Sequence, residues 1–540
     1  MPGLPSVERR KVLLPVVLLI ALAVVVAGSM WVWHAIGSPE SGGESAADLG
    51  ARPLDDPGGL DEPDPPGSGE PTEPGVAATP ASCPATAAAP DPARPRVSLR
   101  FDVSDDRTVV TGSEDVIFVP DLPTSELVFR LWPNAAVSSQ AGASLQVSSV
   151  RVGGRAAPFG YEGSEAGVGV PDISGTVLAV PLDVELSPGQ RVSVSLDFTL
   201  RLPPAGKDRY GAGPSSAWWG SGHPMLAWLD GRGWQRDPPP RFPGEGAGSE
   251  AADTEVLVVA PAADTVLTVG DVTEVPVPGD AAPGRRAWQT TNPVARDVSV
   301  AVGDIKMAED QVLDVDVAPG VAAGSGLPVM VGVAADAFTT DSAVSTALSR
   351  VRTSARAAVE RLTTHLGFFP YRSLSVVVLP GIGAAGIEYP GAILLGTAAW
   401  QQVIPHEVAH QWFYGMLGNN QSVDPWLDEA FATYLESMYN GSAALLLAVE
   451  SVSDPVGWPV SRFDGLVDYS LAVYSRGGGA LLAARGSVGG QAFDAATRCY
   501  ARANAWSVVD PSDVEEAYRH LPEVLATLNR VGALSGGNQG

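Results

Sequence analysis

Basic residues and cysteines are scarce in this 540-residue chain. Lysine and arginine together number 34 against 61 aspartates and glutamates, which gives a formal charge of -27. Nucleic-acid binding needs clustered cations to neutralise phosphates, so this deficit argues against a nucleic-acid partner. The only cysteines, Cys83 and Cys499, are neither a zinc site nor a disulfide framework. In an oxidising compartment they can pair, and the sequence leaves that pairing open.

Long apolar runs are also rare, and the clearest one covers residues 12–33 without a charge. Its length suits a bilayer span, whereas the apolar region of a cleaved signal peptide, the alternative, usually has about 7 to 15 residues. A basic cluster at residues 9–11 precedes the run and favours the cytoplasmic side. We therefore predict a cytoplasmic tail over 1–11 and a transmembrane anchor over 12–36. Everything beyond the anchor is expected outside the cytoplasm, in a single-pass protein of the cell membrane.

Large apolar side chains are nearly missing from residues 37–95, which are rich in proline, glycine, alanine, aspartate and glutamate. Such a segment buries too little surface to offset the entropy lost on ordering. We predict a disordered, acidic linker there. A second flexible segment is expected at the C-terminal tail, residues 531–540.

Strand periodicity dominates residues 96–305, for which we predict an antiparallel β domain. In "RVSLRFDVS" every second residue is apolar, which predicts one buried face. "TVLAVPLDVEL" and "RVSVSLDFTLRL" flank the turn "SPGQ" and predict a β-hairpin. Taken alone, this region is typical of a β-sandwich that serves as a spacer or binding module.

A mixed pattern follows over residues 306–530. "LPVMVGVA" and "LSVVVLPG" predict buried strands, and the stretch from Asp341 to Leu366 between them predicts a helix closed by Gly367 and Pro370. After Gly396 the pattern is mostly helical. The whole chain is therefore expected to be a multidomain α+β protein.

Metal-ligand spacing appears where the mixed region becomes helical, in "PHEVAHQWFYGMLGNNQSVDPWLDEAFATYLE". His406 and His410 lie four residues apart, so on a helix they share one face. A hydrolytic zinc site uses three protein ligands and keeps a fourth position for water. Glu407 is placed to act on that water without binding the metal.

The third ligand must come from a different element. Glu429, in "WLDEA", is the candidate, because a turn and a second helix can return its carboxylate to the histidines. Glu436 lies two helical turns further on and is placed to hydrogen-bond a ligand histidine from outside the metal. The sequence thus predicts Zn²⁺ held by His406, His410 and Glu429.

This stretch resembles the M1 family of zinc metallopeptidases, whose signature is H-E-x-x-H, eighteen residues, then E. "HPMLAWLDGRGWQRDP" and "LGFFPYRSLSVVVLP" are similar to other parts of that family. The resemblance implies an amino-terminal β-saddle domain followed by a thermolysin-like catalytic domain, first α/β and then helical. It also implies a zinc aminopeptidase that acts on peptide substrates. It leaves the oligomeric state open.

Two further family motifs add site residues. "AGIEYPGAILLG" resembles the G-x-M-E-N element, which makes Glu388 the match for the glutamate that binds the substrate's free α-amino group. "YSRGGGALL" resembles the Y-x-K-G element, which makes Tyr474 the match for the tyrosine that stabilises the oxyanion. Tyr469 remains a rival for that role, and Arg476 takes the place of the usual lysine.

Two departures from the family pattern bear on function. The family usually adds a second side chain from its β domain to hold the substrate amine, and "GAGPSSAWWGSGHPMLAWL" offers none before Asp230. Pro405 next to His406 indicates that the metal helix begins there or is kinked. Alternatives to an aminopeptidase are therefore a zinc endopeptidase or oligopeptidase, and an inactive peptide-binding scaffold.

Overall fold

The computed structural model describes residues 83–163, 175–204, 206, 208–244, 246–309, 311–319, 321, 326–383 and 385–534. The predicted cytoplasmic tail, the predicted anchor and most of the predicted linker lie outside these residues, as does the end of the predicted C-terminal tail. Among the described helices, none combines the length and the apolar character needed to cross a bilayer.

The N-terminal half of the described chain is built almost entirely from strands. They are β1 (Arg96–Val103), β2 (Val109–Phe118), β3 (Thr124–Arg130), β4 (Ser144–Val152), β5 (Arg155–Ala156), β6 (Gly160–Tyr161), β7 (Val177–Leu186), β8 (Val192–Arg201), β9 (Tyr210–Ala212), β10 (Ser216–Gly220), β11 (Met225–Leu226), β12 (Trp228–Leu229), β13 (Gly233–Trp234), β14 (Ala252–Pro261), β15 (Thr265–Thr268), β16 (Thr273–Val275), β17 (Arg285–Ala295) and β18 (Ser299–Gly303). A 3₁₀ turn (Trp132–Asn134) and the short helix α1 (Ala136–Ala141) interrupt them.

These strands form one large sheet and three smaller ones. The large sheet has eight strands in the order β16-β17-β14-β1-β2-β8-β4-β5, and β1 runs parallel to β14 while its other pairs are antiparallel. The smaller sheets follow the orders β15-β18-β10-β9, β11-β3-β7-β6 and β12-β13. An N-terminal β domain, as expected from the sequence, is therefore confirmed.

Hydrophobic periodicity predicted the buried faces of the strands correctly, but one predicted strand pairing is wrong. The alternating apolar residues of β1 and β8 are buried, as predicted. The predicted hairpin of β7 and β8 is wrong, because β7 pairs with β3 and β6 whereas β8 pairs with β2 and β4 in the large sheet. The turn at "SPGQ" therefore carries the chain from one sheet to another, and alternation along a strand does not specify its partner.

The second half combines a mixed sheet with helices. Its elements are β19 (Ile305–Met307), β20 (Gln311–Leu313), β21 (Leu327–Ala334), α2 (Asp341–Leu366), β22 (Leu374–Val378), β23 (Gly386–Tyr389), β24 (Ala392–Leu395), α3 (Trp400–Ala409), α4 (Trp426–Asn440), α5 (Ala443–Ser451), α6 (Leu466–Tyr469), a π-helix (Ser470–Arg476), α7 (Gly477–Val488), α8 (Gly490–Ala503), α9 (Pro511–Tyr518) and α10 (Pro522–Arg530), with 3₁₀ turns at Ala335–Ala337 and Val460–Arg462. The predicted helix and the predicted mostly helical C-terminal region are confirmed. The chain is a two-part α+β protein.

The mixed sheet separates the two hydrophobic cores. Its strand order is β19-β21-β22-β24-β23, with β20 also paired to β21, so β23 is an edge strand. Val377 and Leu394 pack into the core of the β domain, while their neighbours Val376 and Ile393 pack into the helical core. A sheet buried on both faces reads as continuous apolar runs, which explains "LSVVV" and "AILL". This packing fixes β23 between the two domains.

The metal helix α3 contains Pro405 in its interior. It begins at Trp400 and ends at Ala409, with His410 as its C-cap, so a helix start at Pro405, one of the two alternatives that the sequence left open, is excluded. Helix α2 ends at Gly367, whose φ of 105° is the left-handed conformation that glycine adopts without strain.

A strap of residues 83–95 precedes β1 and joins both domains. Cys83 forms a disulfide with Cys499 of α8, which resolves the pairing that the sequence left open. The Ala88 amide donates to the Arg502 carbonyl at 2.8 Å, and Arg94 pairs with Asp253 of β14 at 2.7 Å. The segment predicted as flexible therefore ends in this attached strap.

Candidate metal centre and active site

His406, His410 and Glu429 meet between α3 and α4. The two Nε2 atoms lie 3.0 Å apart, and the Oε2 atom of Glu429 lies 3.2 Å from His406 Nε2 and 3.3 Å from His410 Nε2. His410 is 1% exposed and Glu429 3% exposed. Three ligand-type atoms thus form a small, nearly equilateral triangle in a buried position.

The size of this triangle fits a zinc ion. Zinc binds imidazole nitrogen and carboxylate oxygen at about 2.0–2.2 Å in tetrahedral geometry, which places the ligand atoms about 3.3 Å from one another. The observed separations of 3.0 to 3.3 Å match that value. The predicted ligand set of two histidines and one glutamate is therefore confirmed as a zinc site.

Hydrogen bonds on the far side of each ring orient the histidines. His406 Nδ1 lies 3.2 Å from Oε2 of Glu436, and His410 Nδ1 lies 3.0 Å from the Phe413 carbonyl. Because an oxygen acceptor requires a proton on Nδ1, both Nε2 atoms keep their lone pairs for the metal. Glu436 thus lies where the sequence predicted it, behind a ligand histidine.

The site carries an excess of negative charge. Burial alone lowers the pKa of His406, but hydrogen bonds to Glu429 and Glu436 outweigh burial and raise that pKa well above its ordinary value. Burial raises the pKa of Glu429, yet His410 and His406 outweigh it and hold that pKa well below its ordinary range. The carboxylates therefore favour positive charge at the centre of the triangle, as a cation site requires.

Glu407 reaches the same cleft from the next position of α3. It is 5% exposed, and its carboxylate lies close against the edge strand at Gly386. A Cβ atom at Gly386 would lie 2.4 Å from Glu407 Cγ and 2.6 Å from its Oε1. Any larger residue at this position would require the Glu407 side chain or the strand to shift.

A π-helix brings Tyr474 to the metal triad. This rare helix type often marks functional sites, because its extra residue per turn redirects a side chain. The Tyr474 hydroxyl donates to Glu429 Oε1 at 2.5 Å, and its ring stacks on the His406 ring with centroids 5.8 Å apart. Tyr469 is 1% exposed and packs against the rings of Phe242 and Phe463. Both tyrosines line the cleft, and the Tyr474 hydroxyl is hydrogen-bonded to the triad.

Glu388 faces the cleft from the edge strand β23. It is 4% exposed, and its neighbours Ile387 and Tyr389 pack into the β-domain core. Tyr389 replaces the asparagine of the family motif, and its hydroxyl accepts a hydrogen bond from Arg209 at 3.4 Å. Alternation along the strand therefore directs Glu388 and Tyr389 to opposite faces.

The β domain supplies a carboxylate that sequence reasoning missed. The cleft has an empty volume of about 750 Å³, and Asp208 and Arg209 form part of its wall. A hydrogen bond from Trp218 Nε1 to the Asp208 carbonyl, at 2.8 Å, holds this loop in place. Asp230 lies elsewhere, beside Pro90 and Trp506. Asp208 comes just before "GAGPSSAWWGSGHPMLAWL", and no motif marks it.

Solved structures similar to this one include M1 zinc metallopeptidases. The enzyme from Deinococcus radiodurans superimposes with a TM-score of 0.56 at 19% identity, covering 82% of this chain and 95% of that one. A two-domain M1 zinc metallopeptidase mutant bound to L-arginine gives 0.56 at 17% identity over 83% and 95%. A D. radiodurans mutant bound to the substrate Tyr-Ser-Ala gives 0.54 at 18% identity over 83% and 95%. The chain therefore has the fold of the M1 zinc metallopeptidases.

Sequence comparison also finds an aminopeptidase, with a match over a smaller part of the chain. Aminopeptidase 2 of Candida albicans is 26% identical over 182 residues, which cover 28% of this chain and 20% of that protein. No protein-family profile matches the chain. The match spans only a fifth of Aminopeptidase 2, so the fold and the zinc triad are what the comparisons and the geometry establish together.

Proposed function

We propose that this chain is a zinc-dependent aminopeptidase that hydrolyses the N-terminal peptide bond of its substrates. The observation that carries the proposal is one cleft lined by the zinc triad, Glu407, Tyr474 and Glu388. A metal triad beside a carboxylate base supports peptide hydrolysis. A separate buried carboxylate in the same cleft supports recognition of a free amino terminus. Aminopeptidase 2 and the complexes with L-arginine and Tyr-Ser-Ala support the same substrate class.

Each side chain has a distinct task in this proposal. Zn²⁺, when bound, supplies a Lewis acid that polarises the carbonyl and makes water acidic enough to ionise near neutral pH. Glu407 accepts the proton from the attacking water and later delivers it to the leaving amine. The Tyr474 hydroxyl turns from Glu429 to donate to the developing oxyanion.

Glu388 limits where the substrate chain begins. Its carboxylate pairs with the α-ammonium group, so the first peptide bond is the one presented to the water. Asp208 lines the same cleft and provides the second acidic group that sequence reasoning did not find. Two acidic residues in one cleft support recognition of a free amino terminus, and thus an aminopeptidase over an endopeptidase.

The decisive experiment measures hydrolysis of aminoacyl anilides by the zinc-loaded protein. We expect activity on free-amino substrates, none on N-acetylated peptides, and loss of activity on chelation with recovery when Zn²⁺ is restored. Glu407→Gln should lower kcat by about 100-fold or more while zinc content stays at one per chain. Full activity of that variant, or cleavage of N-acetylated peptides, would exclude the proposed mechanism or the proposed specificity respectively.

The same assay distinguishes which of Tyr474 and Tyr469 stabilises the oxyanion. We expect Tyr474→Phe to lower kcat by about 100-fold with little change in KM, because the lost hydroxyl acts on the transition state. Tyr469→Phe keeps the ring that packs against Phe242 and Phe463. A larger loss for Tyr469→Phe would assign the oxyanion role to Tyr469 instead.

We also propose that the apolar run at residues 12–33 anchors the protein with its catalytic part outside the cytoplasm. The run and its basic flank support this proposal, and so does the Cys83–Cys499 disulfide, because disulfides persist in oxidising compartments. Fractionation of cells that express the full chain, followed by protease treatment of intact cells, tests it. Recovery of the protein in the soluble fraction of the cytoplasm would contradict it.

A further inference from the structure

Gln421 lies directly behind the amine-binding carboxylate. It belongs to the segment between α3 and α4 and is 2% exposed. Its Nε2 atom donates to Asp428 Oδ2 at 2.9 Å and to Glu388 Oε1 at 3.4 Å. Asp428 is fully buried at the start of α4. One amide group therefore bridges two buried carboxylates that would otherwise repel each other.

The β domain fixes the orientation of this amide. The Ala247 N–H donates to Gln421 Oε1 at 3.0 Å, and the Gln421 N–H donates to the Ala247 carbonyl at 3.1 Å. Because Oε1 accepts from a backbone donor, Nε2 must point at the carboxylates. Ala247 lies three residues after Gly244, which lines the active-site cleft. The contact thus links the cleft wall of one domain to a functional carboxylate of the other.

A second metal ion is a poor explanation for this cluster. Among the described residues, Glu388, His410 and Asp428 offer ligand atoms within 4.8 Å of one another. However, His410 Nδ1 lies 3.0 Å from the Phe413 carbonyl, and His410 Nε2 already belongs to the zinc triad. With no nitrogen left for another ion, the pair of carboxylates is organised by hydrogen bonds from Gln421.

We propose that Gln421 is a positioning residue that holds the Glu388 carboxylate in the orientation that binds the substrate's α-ammonium group. The β-domain loop at Ala247 thereby sets how tightly the catalytic domain binds a free amino terminus. This inference rests on the proposed aminopeptidase function and deepens it. A glutamate side chain has several rotamers, and a fixed donor on one oxygen leaves the other oxygen directed at the ligand.

The first test is Gln421→Met, which keeps the length of the side chain and removes the amide. We expect KM for an aminoacyl anilide to rise about 10- to 100-fold, as for loss of a hydrogen bond to a charged group, while kcat changes less than about threefold. Zinc content should stay at one ion per chain. An unchanged KM, or a loss confined to kcat, would overturn the proposal.

Asn420→Leu is the matched control. Asn420 Nδ2 donates to Gln235 Oε1 at 2.6 Å and to Asp237 Oδ2 at 2.8 Å, so it also bridges the two domains. Its side chain has no role in the proposed catalysis. We expect this variant to lower thermal stability without raising KM. An equal rise in KM would show that any loosened domain contact has the same effect, and would overturn the specific role of Gln421.

A double-mutant cycle with Glu388→Ala separates positioning from general structure. If Gln421 acts through Glu388, adding Gln421→Met to Glu388→Ala leaves KM unchanged, whereas a merely structural role adds the same loss in both backgrounds. Calorimetric binding of L-arginine gives a readout that does not need turnover. If Gln421→Met fails to fold, Gln421→Glu keeps an acceptor for the Ala247 N–H, replaces the donor with an oxygen and adds a charge beside Glu388 and Asp428, and we expect its KM to rise too. A wild-type protein without aminopeptidase activity would reject the proposed function and this inference together, whereas an active wild type with an unaltered Gln421→Met rejects the inference alone.

Discussion

Gly386 of the edge strand β23 lies against the side chain of the proposed base, Glu407. A methyl group there would overlap the Glu407 carboxylate, with separations of 2.4 to 2.6 Å. We therefore expect Gly386→Ala to displace Glu407 and to lower kcat by about 100-fold, the scale of a lost general base. Anilide hydrolysis and zinc analysis of the same preparation measure the effect, and zinc content should not change.

Gly160→Ala is the control for this substitution. Gly160 lies in β6, and a Cβ atom there meets nothing within 4 Å. We expect wild-type kinetics from this variant. If Gly386→Ala also keeps its kcat, the added methyl group does not displace the Glu407 carboxylate, and the packing argument for this position is contradicted.

Asp424, just before α4, makes stability depend on pH. It is 4% exposed, and burial together with the charge of Asp510 raises its pKa to about 7. In the unfolded chain an aspartate ionises near pH 4, so folding takes up a proton between about pH 4 and 7, and stability falls as pH rises through that window. We expect Asp424→Asn to gain about 2 kcal/mol on the wild type between pH 5 and pH 8. Urea unfolding at both pH values measures this gain, and a pH-independent difference would refute it.

At the scale of elements, three consecutive glycines at the start of α7, Gly477 to Gly479, allow α4 and α5 to pack closely against it. Cβ atoms at Gly477 and Gly478 would lie 2.7 and 2.8 Å from side chains of α4. At Gly479 a Cβ would lie 2.1 Å from the Leu445 carbonyl of α5. Because backbone atoms cannot move aside cheaply, we expect Gly479→Ala to destabilise the protein by about 1–3 kcal/mol.

Substitution of Gly486, on the same helix, is expected to have the opposite effect on stability. A Cβ atom at Gly486 meets nothing within 4 Å, so alanine there only reduces the entropy of the unfolded chain. We expect Gly486→Ala to stabilise by about 0.5–1 kcal/mol. Thermal unfolding of both variants checks the pair, and a shift of the same sign in both would contradict the packing argument.

The sequence predicted helices and strands correctly where the residues that determine them lie within one short stretch. Helix α2 was predicted at its observed bounds because its length, its composition and Gly367 all lie within one stretch. The β7–β8 hairpin was wrong because pairing is decided by the sheet that each strand joins, which alternation does not encode. Pro405 lies inside α3 and not at its start, because packing of α3 against α2 and α4 outweighs the local preference of proline.

At the scale of the whole molecule, the sequence likewise predicted only those parts of the site that lie within one segment. The zinc ligands were predictable because two lie on one helical turn and the third follows at a family spacing. Asp208 and Gln421 were not, because Asp208 enters the cleft wall from a β-domain loop that no motif marks, and Gln421 is oriented behind Glu388 by Ala247 of the other domain. Chemistry carried by one segment can be read from sequence, whereas chemistry assembled across an interface requires the fold.

The strap contributes to the stability of the whole molecule. The disulfide joins residues 416 positions apart and so restricts the unfolded chain. We expect the double variant Cys83→Ser, Cys499→Ser to lose about 2–5 kcal/mol of stability. Urea unfolding of that variant, and of the wild type with and without reductant, measures the loss. Equal midpoints in all three samples would contradict it.

This cross-link also decides how a mechanical load enters the molecule. Tension applied to the chain ahead of Cys83 passes through the sulfur bridge into α8, so the strand β1 stays slack while the bridge is intact. Once the bridge is reduced, the same pull peels the strap and reaches β1, which is held on both sides by β2 and β14. We therefore expect a molecule pulled from the chain ahead of Cys83 to bear the force through α8 under oxidising conditions and through β1 after reduction.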